Sequence, residues 1–382
     1  MSQSGRRLRI KIFLALFSLG FAWLLLELLC GFYFKHRVPP SLAKRAIEIE
    51  TYGSSKIPLS LDPHPYLLYV NHPGYDDQIN SFGLRGPALR SEKSPGSQRV
   101  LFLGGSTTYS TSVREYTNAW PWQLGEMLKS QNGLDIEILN GGLPYATTAE
   151  NLASYVFRYR YLKPDVVVIE AGGNDQVATW YPGYNAEYTH FRGPGGGWRF
   201  NRLEKAMLRS NVAKVLYCRW IVGKFRTYSA HPADYETLDR AKTLEMVRTN
   251  GLDGFRRNLD LLVKLATNDG CKVLLVGFVN GEQSRLSKNR PELKGFEPVI
   301  FEGTRRHRAA LSEIGNAAGV KVVQPRQERF LDEMFTDDCH LTAAGERVKA
   351  SECLPALLSL LREAGERRGS QANAAGVSNP GK

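Results

Sequence analysis

The sequence predicts an α/β fold: a three-layer sandwich with a five-stranded parallel sheet, preceded by a single N-terminal transmembrane helix. Five short apolar runs alternate with helical patterns, which is typical of parallel sheets that helices cover on both faces. A longer apolar run near the amino terminus has the length that crosses a lipid bilayer. Together these observations predict one large globular domain attached to a membrane.

The amino-terminal apolar run covers residues 12–34, and its only charged side chain is Glu27. A transmembrane helix is the preferred interpretation; a buried core helix and a cleaved signal peptide are alternatives, although no A-x-A site follows. A short basic segment, residues 1–11, normally stays in the cytoplasm. We therefore expect a single-pass plasma (inner) membrane protein with an extracytoplasmic domain, periplasmic in a Gram-negative cell. Glu27 is costly in lipid, so it is expected near the outer interface or paired with another helix.

The chain has a formal net charge of +12 and five cysteines. No Lys/Arg block interleaved with aromatic residues resembles a nucleic-acid surface, so we expect no nucleic-acid partner. The excess charge indicates solvated faces or attraction to an anionic membrane or polymer. The cysteines form no C-x-x-C pair and no zinc spacing, so we expect no metal bound by cysteine. The serine chemistry considered below needs no metal or organic cofactor, and we expect neither. The oligomeric state and any disulfide pairing stay open.

The predicted strands are apolar runs bounded by Gly, Asp, Asn or Pro, at residues 99–103, 136–139, 166–169, 273–278 and 320–323. Helices are predicted at residues 119–131, 148–162, 236–268, 304–318 and 343–364. This alternation favours a flavodoxin-like sheet, in which chemistry occurs beyond the carboxyl ends of the strands.

Other segments surround the predicted sheet. Residues 35–79, rich in Pro, Gly and Asn, are expected to form a linker and a packing segment before a main domain at residues 80–365. Residues 176–235 form an aromatic-rich insertion with a helix expected near residues 202–224. The insertion is interpreted either as a subdomain with its own core or as a lid or substrate platform. Residues 366–382 are predicted to be disordered.

Three of the predicted strands end in residues suited to one site. The first is followed by Gly104, Gly105 and Ser106, a tight turn that alone fits an ordinary strand-to-helix connection equally well. The second is followed by Gly142, in a turn whose backbone N–H groups suit a developing negative charge. The third is followed by Asn174, whose amide can donate a hydrogen bond or simply cap a turn.

The segment 336–342 supplies a base. His340 follows Asp337 by three residues, and on a loop this spacing lets the carboxylate accept from one ring nitrogen while the other faces Ser106. The carboxylate then orients the imidazole, which removes the serine proton for attack on a carbonyl. The remaining histidines are interpreted as structural, with His190 a mild exception: His36, His64, His72, His190, His231 and His307.

Four short segments carry these residues, in the order Ser106, Gly142, Asn174 and then Asp337 with His340. In this order they resemble the sequence blocks of the SGNH (GDSL-like) hydrolase family, in its membrane-anchored bacterial type, and the resemblance covers residues 80–362. The resemblance implies that Ser106 is the nucleophile and His340 the base supported by Asp337. It also implies an oxyanion hole formed by the Ser106 and Gly142 backbone N–H groups with the Asn174 side chain. Gly105 departs from the commonest motif, which has Asp there to brace the turn, and this departure is expected to change fine geometry rather than activity.

The resemblance implies a carboxylic ester hydrolase that forms a Ser106 acyl-enzyme. Acyl or acetyl esters of cell-envelope carbohydrate or lipid are the expected substrates. An acyltransferase that moves an acyl group onto a glycan with the same residues is an alternative, because the sequence does not distinguish water from a sugar as acceptor. A non-catalytic membrane-anchored glycan-binding module is another.

Overall fold

In this computed structural model, the structure describes residues 3–38, 61–64, 66–73, 77–191, 209–217, 238–281 and 294–377. The chain divides into two compact units. One comprises Met1–Ser60 and Gly197–Tyr228, and the other comprises Leu61–Gly196 and Ser229–Lys382. Of the predicted insertion, residues 192–208 and 218–235 lie outside the described residues, as do residues 39–60 of the predicted linker.

The strands, numbered in chain order, are β1 (Leu61–His64), β2 (Leu68–Asn71), β3 (Gln98–Leu103), β4 (Ile136–Asn140), β5 (Val166–Ala171), β6 (Lys272–Gly277) and β7 (Lys321–Val323). The helices are α1 (Gln3–Arg37), α2 (Ser106–Tyr109), α3 (Trp120–Asn132), α4 (Thr148–Phe157), α5 (Gly173–Ala178), α6 (Asn211–Leu216), α7 (Arg240–Thr249), α8 (Asp253–Asn268), α9 (Glu297–Ala318) and α10 (Ala343–Val377). Short 3₁₀ turns cover Tyr116–Asn118, Tyr159–Leu162, Gln327–Arg329 and Asp332–Met334.

The central sheet has the strand order β4-β3-β5-β6-β7, and all of its neighbouring strands are parallel. This is the doubly wound order of flavodoxin-like folds. The predicted five-stranded parallel sheet is therefore confirmed, and each strand lies within two residues of its predicted bounds. β1 and β2 pair separately as an antiparallel hairpin.

Successive strand residues point to opposite faces, and both faces of the sheet are covered. One face packs against α4, α8 and α9, with Leu101 and Val167 among the buried strand residues. The other packs against α3 and α10, with Phe102 and Val168 facing them. Burial on both faces explains why the strands are continuous apolar runs rather than alternating ones.

Residues 176–191 of the insertion contribute to a third buried cluster. Trp180, Tyr181, Tyr188 and Phe191 pack with residues of α7 and α9. Over these residues the structure favours an inserted core rather than a lid. The Gly-rich loop, Trp198 and Phe200 lie outside the described residues.

Several helix bounds differ from the predicted ones. The predicted helix 236–268 is two helices, α7 and α8, because Asn250 adopts an extended conformation after α7 and Gly251 follows it. α9 begins at Glu297 with a proline in its first turn, a position that tolerates the missing N–H. The last helix, α10, continues to Val377, whereas the sequence predicts disorder from residue 366. Its Ala, Arg, Gln and Glu residues are good helix formers, which accounts for the difference.

Among the described residues, the segment Arg9–Arg37 of α1 is long and apolar enough to cross a membrane. Its most apolar stretch has a mean hydropathy of 2.3, and no part of that stretch is buried. A signal sequence has the same features. Within its own unit, α1 packs against α6.

Candidate active site

The sequence-predicted residues meet beyond the carboxyl edge of the sheet. Ser106 follows β3, Gly142 follows β4 and Asn174 follows β5. The loop that carries Asp337 and His340 lies between β7 and α10. Because parallel strands end at the same edge, these four segments converge although they are far apart in the chain.

The Ser106 turn is built from close backbone contacts. Ser106 begins α2, and Gly105 precedes it in an extended conformation. The Leu143 N–H donates to the Gly104 carbonyl oxygen at 3.0 Å, which joins this turn to the one after β4. A Cβ at Gly142 would lie 2.2 Å from the Tyr109 backbone nitrogen. Glycine at 142 is therefore needed for the two turns to approach this closely.

The serine and histidine side chains are hydrogen-bonded, although 234 positions separate them in the chain. Ser106 Oγ lies 2.8 Å from His340 Nε2. On the opposite side of the ring, His340 Nδ1 lies 2.7 Å from Asp337 Oδ2. The structure thus brings the three predicted residues into one continuous chain of hydrogen bonds.

The histidine loop is held by local bonds. Asp337 Oδ1 accepts from the backbone N–H groups of Cys339 at 3.0 Å and His340 at 2.8 Å, an arrangement typical of an Asx turn. The Thr336 N–H donates to the His340 carbonyl at 2.8 Å and closes the loop. Burial of Asp337 would raise its pKa, but these hydrogen bonds and the His340 ring hold the pKa at about 2. The carboxylate therefore stays ionised at neutral pH.

The donors predicted for the oxyanion hole lie on the Ser106 turn and on the turns that follow β4 and β5. Asn174 Nδ2 donates one of its two hydrogens to the Ala146 carbonyl oxygen at 2.8 Å. The second hydrogen on the same nitrogen is not used in this bond. The Gly142 N–H contacts Asn140 Oδ1 at 3.0 Å. As the first residue of α2, Ser106 has a backbone N–H with no acceptor within the helix.

At position 105 this chain has glycine where the commonest motif has Asp, and the surroundings of Gly105 fit this difference. A Cβ at this position would lie only 2.5 Å from Asn174 Nδ2. A side chain there would therefore displace the amide of Asn174. Position 105 has no Asp side chain, and Asn174 approaches the backbone of the Ser106 turn closely there.

Buried polar residues that the sequence analysis did not select hold these turns. Asn71 Nδ2 donates to the Gly142 carbonyl oxygen at 3.0 Å, and Asn140 Nδ2 donates to the Thr108 carbonyl oxygen at 3.0 Å. The Arg85 guanidinium, 2% exposed, donates to the Tyr109, Ser110, Val113 and Arg114 carbonyl oxygens. Arg85 comes before the first strand of the central sheet, and no pattern in the sequence analysis marks it.

A buried charged network lies beneath α2. The Thr108 hydroxyl donates to Glu170 Oε2 at 2.6 Å, and Lys349 Nζ donates to Glu170 Oε1 at 2.5 Å. Glu346 accepts from the Ser110 hydroxyl and from the Trp120 N–H, both at 2.9 Å. Burial raises the pKa of Glu346 to about 7. No local pattern in the sequence marks these residues, because their partners are distant in the chain.

The remaining histidines described by the structure include two with clear structural contacts. His307 is buried against Phe255, and burial lowers its pKa to about 4. His190 Nε2 lies 2.8 Å from the Ala178 carbonyl oxygen, inside the inserted core. Neither of these contacts involves Ser106, Asp337 or His340. His231 lies outside the described residues.

Asp337, Cys339 and His340 have potential metal-ligand atoms within 4.8 Å of one another. However, Asp337 and His340 use ligand atoms to hydrogen-bond each other. The chemistry that the arrangement suits is instead nucleophilic. A hydroxyl beside an imidazole, itself oriented by a carboxylate, can be deprotonated as it attacks an ester carbonyl.

Comparison with known proteins identifies the family. Residues 102–348 match the sequence profile of the GDSL-like lipase/acylhydrolase family, which is more than half of the chain. A search of curated proteins finds no match.

Solved structures with a similar arrangement include three esterases or lipases. A catalytic mutant of an acetylxylan esterase from Geobacillus stearothermophilus is 14% identical, with 69% of this chain and 95% of that chain covered and a TM-score of 0.40. A lipolytic protein of the G-D-S-L family from Desulfitobacterium hafniense is 12% identical, with coverages of 68% and 99% and a TM-score of 0.40. A GDSL-like lipase from Parabacteroides merdae is 11% identical, with coverages of 70% and 98% and a TM-score of 0.42.

The family assignment therefore rests on the profile match, which includes the segments that carry Ser106, Asn174 and His340. It confirms the predicted resemblance. This chain belongs to the GDSL-like lipase/acylhydrolase family and is a carboxylic ester hydrolase.

Proposed function

We propose that this protein is a membrane-anchored serine esterase that hydrolyses acyl or acetyl esters of cell-envelope carbohydrate or lipid. Ser106 is the nucleophile, His340 the general base and Asp337 the residue that orients the imidazole. The observation that carries the proposal is the 2.8 Å separation of Ser106 Oγ and His340 Nε2. A serine hydroxyl is a weak nucleophile unless an adjacent base removes its proton.

The catalytic cycle has two halves. Ser106 Oγ attacks the ester carbonyl carbon while His340 Nε2 takes the hydroxyl proton, and Asp337 stabilises the resulting imidazolium. The imidazolium gives this proton to the departing alcohol, which leaves an acyl group on Ser106. His340 then deprotonates a water that attacks the acyl carbon, and the carboxylic acid departs as the serine is restored.

The negative charge that develops on the carbonyl oxygen is stabilised by three donors: the Ser106 and Gly142 backbone N–H groups and the Asn174 amide. Each such donor contributes roughly 3 kcal/mol to transition-state stabilisation. The Gly142 N–H faces Asn140 Oδ1 at 3.0 Å, so the oxyanion shares or replaces this contact. No metal or organic cofactor takes part in the cycle.

The substrate class follows from the proposed anchor. With α1 in the plasma membrane and its short basic end in the cytoplasm, the hydrolase domain lies outside the cytoplasm, in the periplasm of a Gram-negative cell. Esters of envelope glycans and lipids are the acyl esters within reach of an enzyme held at that surface. We interpret α1 as an anchor rather than a cleaved signal because its apolar run is long for a signal peptide.

Changing Ser106 to Ala tests the nucleophile. The full-length protein in detergent should release nitrophenol from 4-nitrophenyl acetate, and Ser106→Ala should abolish this release because no other group is activated in its place. Ser130→Ala is the matched control, since the Ser130 hydroxyl is exposed and bonds only within α3, to the Glu126 carbonyl oxygen. A fluorophosphonate should label the wild-type protein and the control on the Ser106 peptide.

Full activity in Ser106→Ala, or labelling of another serine, would refute the proposed nucleophile. A glycan acceptor added to the same assay distinguishes hydrolysis from transfer. Free carboxylic acid supports hydrolysis, whereas acylated glycan in its place contradicts it and indicates acyl transfer by the same residues.

A further inference from the structure

One face of α1 is covered although the rest of the helix is exposed. Glu27, Cys30, Gly31 and Phe34 are partly buried, at the spacing of one helical stripe, and Tyr33 beside them is partly buried too. Residues 28, 29, 32 and 35 are exposed. The segment that covers them is residues 209–217, which contains α6 and belongs to the same compact unit as α1.

The contact is polar at its centre. The Ser210 hydroxyl donates to Glu27 Oε1, and the Asn211 N–H donates to Glu27 Oε2 at 2.6 Å. Asn211 Nδ2 also contacts the Glu27 carbonyl oxygen at 3.3 Å. Glu27 thus meets donors from another helix, one of the two outcomes expected from the sequence.

The helices approach closely at a glycine. A Cβ at Gly31 would lie 2.9 Å from Asn211 Nδ2, so the absence of a side chain admits Asn211. One helical turn further along α1, Lys214 Nζ lies 5.8 Å from the centre of the Phe34 ring. Both helices therefore run in the same direction, with Ser210 beside Glu27 and Lys214 beside Phe34.

The position of Glu27 sets the depth of this contact. Glu27 precedes Arg37 by ten residues, about 15 Å of helix at roughly 1.5 Å per residue. The apolar run ends at Phe34, seven residues after Glu27, so Glu27 lies about 10 Å, or about a third of the way, into a hydrocarbon layer that is roughly 30 Å thick. Ser210 and Asn211 then lie at the same depth.

We propose that residues 209–217 enter the bilayer beside α1, so that the protein has two membrane-embedded segments rather than one. This inference rests on the proposed membrane anchor and is independent of the proposed catalytic residues. Each segment satisfies the other: a lone carboxylate and unpaired N–H groups are both costly in hydrocarbon. Leu216, 49% exposed, then faces lipid.

A disulfide tests the contact in native membranes. The Cβ of a residue at 31 would lie 3.8 Å from the Asn211 Cβ, within the usual disulfide range of about 3.5–4.5 Å. In full-length protein carrying Cys30→Ser and Cys218→Ser, the pair Gly31→Cys with Asn211→Cys should cross-link. Mass spectrometry of non-reduced peptides measures the product. Gly20→Cys with Asn211→Cys is the matched control, because Gly20 has no atom within 4 Å of its Cβ position.

Fluorescence quenching tests the depth. A polarity-sensitive fluorophore is placed at one residue of the reconstituted full-length protein, at Leu216→Cys, Leu19→Cys or Leu331→Cys in turn, and vesicles contain lipids brominated in their acyl chains. Leu19 reports the anchor, and Leu331, 52% exposed, matches Leu216 in exposure but lies in the other unit. We expect at least threefold stronger quenching at positions 19 and 216 than at position 331.

The outcomes separate the two proposals. Quenching at 19 but not at 216, or equal cross-linking of the test and control pairs, overturns the second embedded segment and leaves the anchor standing. A lack of quenching at both 19 and 216 overturns the anchor and the second segment together. Esterase activity, measured on the same samples, bears on the catalytic residues alone.

Discussion

The residues that orient His340 lie next to it in the chain, whereas those beneath Ser106 come from distant segments. Asp337 is three positions from His340. Under α2, by contrast, Thr108 is 62 positions from Glu170, and Glu170 is 179 positions from Lys349. The contacts around His340 form within one short loop. The contacts beneath Ser106 form only when the sheet and α10 are assembled.

The two regions also differ in burial and charge. The side chains of His340 and Asp337 are 19% and 22% exposed, while those of Lys349 and Glu170 are 1% and 2% exposed. Asp337 has a pKa of about 2, and Glu346, beside the buried pair, has a pKa raised to about 7. This contrast indicates that changes in the loop affect chemistry, and that changes beneath α2 affect folding and the position of the nucleophile.

The largest expected effect is on catalysis by the loop. Asp337→Asn keeps the size of the side chain but removes the charge that stabilises the imidazolium, so kcat/KM should fall by about 10⁴-fold. The fold should persist, because the loop is partly exposed. Steady-state kinetics measure the first effect and thermal unfolding the second. Glu333→Gln removes an exposed charge from the preceding turn and should keep activity within a few-fold; an equal loss in both variants would contradict the assigned role.

A smaller effect, on stability, is expected beneath α2. Lys349→Met leaves Glu170 buried without its cation and should lower the free energy of unfolding by about 3–5 kcal/mol. Chemical denaturation in detergent measures this change. The double variant Lys349→Met with Glu170→Gln should recover much of the stability, because no uncompensated charge remains.

Lys264→Met is the control for that comparison. Lys264 pairs with Asp260 on an exposed helix surface, where an i,i+4 ion pair contributes only about 0.3–0.5 kcal/mol. If Lys349→Met were as mild as Lys264→Met, the buried pair would not hold α2 in place and the contrast between the two regions would fail.

The smallest effect is a pH dependence carried by Glu346. Its pKa is raised from the ordinary 4.5 to about 7. Between pH 4.5 and pH 7 the folded protein therefore keeps a proton on Glu346 that the unfolded chain has lost. Stability from this group is therefore present below about pH 4.5 and decreases as pH rises to 7. Glu346→Gln should unfold like wild type at pH 5 and be more stable by about 2 kcal/mol at pH 8. Unfolding curves at both values measure this difference.

Asp337 has the opposite sign, which sharpens the comparison. Its pKa of about 2 lies below the ordinary 3.8, so its contribution to stability is present above pH 3.8 and is lost as the pH falls towards 2. A stability difference between Glu346→Gln and wild type that stayed constant from pH 5 to pH 8 would show that Glu346 does not titrate as its burial indicates.

Much of the fold could be predicted from short stretches of sequence. The strands β3 to β7 were recognisable because strands buried on both faces need continuous apolar runs, and residues of the types Gly, Asp, Asn or Pro lie near their bounds. Asp337 and His340 could be paired because three residues of loop are enough to bring their side chains together. The break between α7 and α8 was missed because the apolar pattern continues across Asn250 and Gly251.

By itself, the sequence determined the five parallel strands, the apolar amino-terminal helix and the local Asp337–His340 pair, since periodicity and turn chemistry act over a few residues. Only the tertiary structure decided that Ser106 meets His340, that Glu170 receives Lys349, and that Glu27 meets Ser210 and Asn211. The physical reason is that a side chain's partner across more than a hundred residues depends on how sheets and helices pack, and no local pattern records that packing.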